Sequence, residues 1–187
     1  MSPPRESHHV EPDTPLGLAR HYVRDLVYGA NDGVITTFAV VAGVTGGTLS
    51  AVTVLILGVA NLIADGLSMG VGNYLGIRSE ERVREAQHLP ELEAYPIRHG
   101  LATFLAFVIA GAVPLVPYLF PGDATARFVW STILSLVVLF VVGAARARVG
   151  TGTWWMNGFE MLALGAVVGV AAYFAGAVVA GLLESSA

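Results

Sequence analysis

Five apolar stretches of roughly 20 residues each shape this chain, the length an α-helix needs to cross a hydrocarbon layer about 30 Å thick. They lie at about 26–48, 51–77, 100–120, 128–147 and 158–183. Backbone polar groups in lipid must be satisfied within their own segment, so such runs become helices. Charged residues make up only 13% of the 187 positions, where a soluble domain carries about 25%. The reading is an all-α, polytopic membrane protein, with 16–187 as one domain of five transmembrane helices. Residues 1–15, rich in proline and charge and without an apolar core, read as a disordered tail rather than a signal peptide. His8 and His9 within it read as solvated rather than as ligands.

The arginines give the orientation. Arg5, Arg20, Arg24, Arg78, Arg82, Arg84, Arg98, Arg146 and Arg148 fall on one side of the spans and Arg127 alone on the other. The positive-inside bias places the N-terminus in the cytoplasm and, after five spans, the C-terminus outside. Tyr28, Tyr118, Trp130, Trp154 and Trp155 fall where an interfacial aromatic belt sits. Small residues four apart, at Gly29/Gly33, Gly43/Gly47, Gly66/Gly70, Gly72/Gly76 and Gly165/Gly169, allow close helix contact, within the bundle or in a homodimer, which is the reading favoured here. Pro114 and Pro117 should kink the outer half of span three.

Polar residues inside spans one and two carry the chemistry. Asn61, Asp65, Met69 and Asn73 recur every four residues and share one face of span two. Span one contributes Asp32. A carboxylate deep in a span costs about 2.5–3.5 kcal/mol on insertion scales and must face protein, water or an ion. No basic residue inside a span neutralises Asp65. Asp32, near the interface, has Arg24 and Arg78 as further possible partners. Counting about 1.5 Å per residue from the cytoplasmic span ends puts Asp32 level with Met69 and Asn73 and below Asp65. Oxygen donors suit hard and borderline divalent ions, and a thioether leans toward a softer transition metal. The chain has no cysteine, so thiolate sites and disulfides are excluded. No phosphate loop, nucleophile elbow or His-rich zinc motif is present, which argues against an enzyme.

The stretch 28–43, YGANDGVITTFAVVAG, closely resembles the first span of the vacuolar iron transporter family. ADGLSMGVGNYL at 64–75, followed by Arg78-Ser-Glu80, is similar to that family's second span, as are the Pro114–Tyr118 run and the 143–152 region. The resemblance covers roughly 24–181. It implies a five-helix homodimer exporting Fe²⁺, and often Mn²⁺, from the cytosol in exchange for protons. Asp32 and Met69 would line the path, with Asp65 as the second acid and Asn73 completing the shell. The transported metal is cargo; no cofactor is permanently bound, and no nucleic-acid partner is expected. The family's long cytosolic metal-collecting insertion is replaced here by about twenty residues, 78–100, without methionine. Glu81, Glu85 and His88 there could share a helix face and hold a metal, or simply form a solvated helix end. Asn61 and Glu160 are weaker candidates, Glu160 reading as a helix-start acid. A membrane metal sensor or scaffold, or a cation channel, is the alternative reading. The membrane favoured is a bacterial-type cell membrane over a vacuolar one.

Overall fold

The computed structural model describes residues 7–10, 12–147 and 152–186. A short α1 (Pro15–His21) leads into α2 (Val23–Gly46), α3 (Ala51–Ala86), α4 (Pro96–Gly111) with a 3₁₀ continuation (Val113–Leu119), α5 (Ala124–Arg146) and α6 (Trp154–Glu184). Five of these segments are long and apolar enough to cross a membrane: α2, α3, α4 with its 3₁₀ continuation, α5 and α6. Arg5 and Arg148 lie outside the described residues. Of the segment expected as a tail, Ser7 pairs with Glu91 and the His8 N–H donates to the Glu91 carbonyl.

Glycine decides how the helices approach. A Cβ on Gly29 or Gly33 of α2 would overlap the backbone carbonyls of Thr103 or Phe107 on α4. Gly70 of α3 and Gly100 of α4 exclude a side chain from each other in the same way. So α4 packs against both α2 and α3 at backbone distance, the close contact that small residues permit in lipid. Gly46 and Gly176 bring α2 against α6, and Gly165 accepts Leu139 of α5. Four of the five glycine pairs therefore serve contacts within the chain; Gly72 and Gly76 meet nothing within 4 Å. Val34, Val41, Phe107 and Leu139 are fully buried, while Ile56, Ile63 and Val71 of α3 and Phe174 of α6 are exposed on faces suited to lipid.

Span three breaks where its prolines predict. The α-helix stops at Gly111 and a 3₁₀ turn carries Pro114 and Pro117. Pro117 has no N–H to return to the Pro114 region; the Pro114 carbonyl instead accepts from buried Ser131 Oγ at 2.7 Å. One belt residue is misplaced by the sequence reading: Tyr118 is 7% exposed and meets Thr45 Oγ1 at 3.3 Å, because the 3₁₀ turn rotates it inward. Tyr28, Trp130, Trp154 and Trp155 are exposed as expected.

The α2–α3 turn fixes the register of the first hairpin. The Leu49 N–H reaches the Val44 carbonyl at 3.1 Å and the Thr48 N–H reaches Thr45 at 3.0 Å, the paired bonds of a Schellman cap. That cap needs a left-handed residue, and Thr48 supplies it with φ 57°. A β-branched residue is strained there. Replacing Thr48 with glycine removes about 1–2 kcal/mol of strain and adds back about 0.5–1 in chain entropy. Thr48→Gly should therefore raise the thermal midpoint of the detergent-solubilised protein slightly, whereas Gly33→Leu, which drives a side chain into the Phe107 carbonyl, should lower it by the equivalent of roughly 1–3 kcal/mol or more.

Candidate functional site

Asp25 and Asp32 lie seven residues apart on α2, two turns along one face. That face meets the α3 stripe. Asn61 Nδ2 donates to Thr36 Oγ1 at 3.3 Å, and Asn73 Nδ2 donates to Asp25 Oδ1 at 2.8 Å. With Thr36 facing Asn61 and Asp25 facing Asn73, the antiparallel register sets Asp32 opposite Asp65. This corrects the depth reading, which placed Asp32 level with Met69 and Asn73. That count began from the far span ends, and α3 runs on to Ala86 past the expected end at 77. The short turn between Gly46 and Ala51 pins the pairing instead.

Asp32 and Asp65 are both partly buried and close enough for their charges to interact. Among the described residues neither carboxylate has a hydrogen bond or an ion pair. Arg78, considered for Asp32, donates to the Tyr74 hydroxyl at 2.8 Å. Two carboxylates with no basic neighbour within the bundle are a place for a cation or a shared proton. Met69, about 6 Å further along α3, is partly buried and packs on the apolar core around Phe107 and Leu62. Asn73, about 12 Å from Asp65 along the helix, is committed elsewhere: its amide also donates to Thr103 Oγ1 at 2.8 Å. The expected ligand set therefore divides into an Asp32–Asp65 level and an Asn73 level, with Met69 between.

The Asn73 level contains residues that the sequence reading missed. Asp25 is 5% and His99 8% exposed. His99 Nδ1 lies 2.5 Å from Asp25 Oδ2, and its Nε2 lies 2.9 Å from Glu93 Oε2. Each ring nitrogen faces a carboxylate oxygen, so His99 bridges Asp25 and Glu93. Burial pushes the Glu93 carboxyl up, but the Tyr95 N–H, the His99 ring and the charge of His9 outweigh it and hold the group below the usual carboxylate range. Asp25 falls one residue before the apolar run that begins at Leu26, and its seven-residue spacing from Asp32 is the signal the sequence carries. His99 was hidden behind Arg98, which was counted only for charge.

In the connection from α3 to α4, Glu81 and His88 have separate roles. Glu81 Oε1 accepts the N–H groups of Leu92 at 3.1 Å and Glu93 at 3.0 Å. His88 sits past the helix end with φ 57°, in the left-handed position of a second Schellman cap closed by Leu89 N–H to Arg84 at 2.9 Å. Among the described residues the one group of three side chains placed to share a metal ion is His9, His21 and Glu93. Glu160 is exposed and falls beyond the first turn of α6, which begins at Trp154 rather than near 158, so the helix dipole does not explain it.

Five membrane-length helices define a polytopic membrane protein, with two facing acids unneutralised among the described residues. The family can be named from comparison. The model of the VIT family matches residues 23–93 and 83–177, and the chain belongs to that family. It is similar to "Vacuolar iron transporter 1" of Arabidopsis thaliana, 27% identical with 89% of this chain and 88% of that protein covered. "Vacuolar iron transporter 1" of Eucalyptus grandis is 26% identical over 83% of this chain and 85% of its own length. "Protein CCC1" of Saccharomyces cerevisiae is 25% identical over 81% of this chain and 67% of its own. The first two are named as transporters rather than enzymes. The two matched stretches overlap at 83–93, across the end of α3 and the start of the connection to α4.

Removing Asn73 leaves the Asp25 carboxylate and the Thr103 hydroxyl buried with one partner fewer. Asn73→Ala should cost roughly 1.5–3 kcal/mol, the value of a hydrogen bond to a charged group, and Asn61→Ala about 1 kcal/mol for its neutral bond to Thr36. Thermal unfolding of the two variants in the same detergent checks the ranking.

Proposed function

We propose that the protein exports a divalent transition metal, Fe²⁺ or Mn²⁺, from the cytosol in exchange for protons. The observation that carries this reading is the facing pair Asp32 and Asp65, partly buried, mutually repelling and without a basic partner among the described residues. Two like charges close together disfavour the doubly ionised state, so binding a dication and binding a proton compete for the same pair. Met69 lies a turn toward the arginine-rich end, where a thioether biases the path against hard ions. The names of the relatives support iron as cargo. They favour a vacuolar destination and lend nothing to a bacterial-type cell membrane. The open Gly72–Gly76 face of α3, unlike the other glycine pairs, supports a homodimer formed along that helix.

The test is metal entry into proteoliposomes under an imposed pH gradient, followed for Fe²⁺, Mn²⁺ and Mg²⁺. Fe²⁺ or Mn²⁺ flux should rise with the gradient, Mg²⁺ flux should stay near background, and Asp32→Ala and Asp65→Ala should each reduce metal flux by roughly tenfold or more, the loss expected when a ligand is removed from a weak site. Flux unchanged in both variants would sink the assignment. Flux that ignores the gradient and admits Mg²⁺ would point to a channel.

A further inference from the structure

The His9, His21 and Glu93 group lies outside the Asp32–Asp65 pair, at the arginine-rich end of the bundle, and has no part in the path described above. Its three ligand atoms lie within 4.8 Å of one another. His21 Nε2 stands 3.2 Å from Glu93 Oε2, and His9 Nδ1 3.4 Å from Glu93 Oε1. Ligands at about 2.0–2.2 Å around one tetrahedral metal are themselves roughly 3.3–3.6 Å apart. The group is thus spaced for a common ion with little movement.

A second observation points the same way. His21 Nε2 is fully buried yet makes no hydrogen bond, its approach to Glu93 being misaligned for one. Buried polar atoms are rarely left so, and a cation held beside the Glu93 carboxylate would give this nitrogen the partner it lacks. The surroundings hold the rings in place. His9 stacks edge-on against His21 at 5.9 Å and Tyr95 at 5.4 Å, and His21 against Tyr22 at 4.7 Å. Glu93 is aimed by the Glu81 carboxylate, which accepts its N–H at 3.0 Å, and its second contact, to His99, is the outer-shell bond that fixes a ligating carboxylate.

We propose that His9, His21 and Glu93 form a second metal site, taking a first-row transition dication at the arginine-rich end. Two imidazoles and one carboxylate select borderline ions over Mg²⁺ and Ca²⁺, which prefer all-oxygen shells. Because His9 comes from the segment pairing with Glu91, an ion bound there ties that N-terminal segment to the α3–α4 connection. Glu93 joins this site through His99 and Asp25 to Asn73 on the α3 stripe.

The test is titration of the purified full chain with Co²⁺, read by its visible ligand-field absorption and by metal content after gel filtration. An Asp32→Ala, Asp65→Ala background silences the pair in the bundle. In that background one Co²⁺ per chain should bind, excess Mg²⁺ should not displace it, and His9→Ala, His21→Ala and Glu93→Gln should each weaken it by roughly tenfold or more. His8→Ala, next in the chain but with an exposed side chain, should bind as the parent does. Undiminished Co²⁺ binding in His9→Ala and His21→Ala would overturn the proposal, as would equal loss in His8→Ala and His9→Ala. His9 lies before α1, so its variant reports even where His21→Ala perturbs folding. Metal flux is not read, so this outcome and that of the transport test stand apart.

Discussion

The Asp25 carboxylate ties three spanning helices together. Carried by α2, it receives Asn73 from α3 and His99 from α4, with Thr103 of α4 bound to the same asparagine. A buried carboxylate is tolerated only when its lone pairs are met by hydrogen bonds and opposite charge, and here each partner comes from a different helix. None of the three can slide along its neighbours without stranding a polar group in an apolar interior. The glycine contacts supply the proximity and the Asp25 cluster supplies the register. With both in place, the next acid along α2, two turns on, is brought opposite Asp65.

Much of this was legible in the sequence. The apolar lengths give the five helices, the four-residue recurrence gives the α3 stripe, and Pro114 and Pro117 give the break in span three. The pairing of α2 with α3 was not obtained, because span ends near the interface are soft while the turn between Gly46 and Ala51 is short and rigid. Counting outward from that turn would have placed Asp32 against Asp65. Asp25, Glu93 and His99 were unreadable for a different reason. Each lies at a helix end or in a connection, where charge is ordinarily solvated, and only the folded arrangement of three separate segments buries them. His9 is the extreme case, a residue in a proline-rich, charged stretch that composition assigns to solvent.

The placement of Asn73 changes what the stripe means. Read as a helix face, four equally spaced polar residues look like a single row of ligands. In the structure, their partners distinguish them. Asn61 and Asn73 are hydrogen-bond donors to α2 at two levels, and they hold the faces of α2 and α3 in line. Asp65 lies between those levels with its carboxylate uncommitted among the described residues. The asparagines are therefore the frame, and among the described residues the two acids are left outside it.

The short α3–α4 connection is organised rather than slack. Arg84 Nε donates to the Pro90 carbonyl at 3.0 Å, Glu81 gathers the N–H groups of Leu92 and Glu93, and the left-handed His88 reverses the chain between them. The last two turns of α3 thus act as a bracket that turns 91–95 back over the mouth of the bundle. A bracket of this length holds Glu93 inward against His99. The same connection gives the N-terminal segment its partner, Ser7 bridging to Glu91. Held there, the Glu93 carboxylate meets His21 of α1, His99 of α4 and His9 of the N-terminal segment.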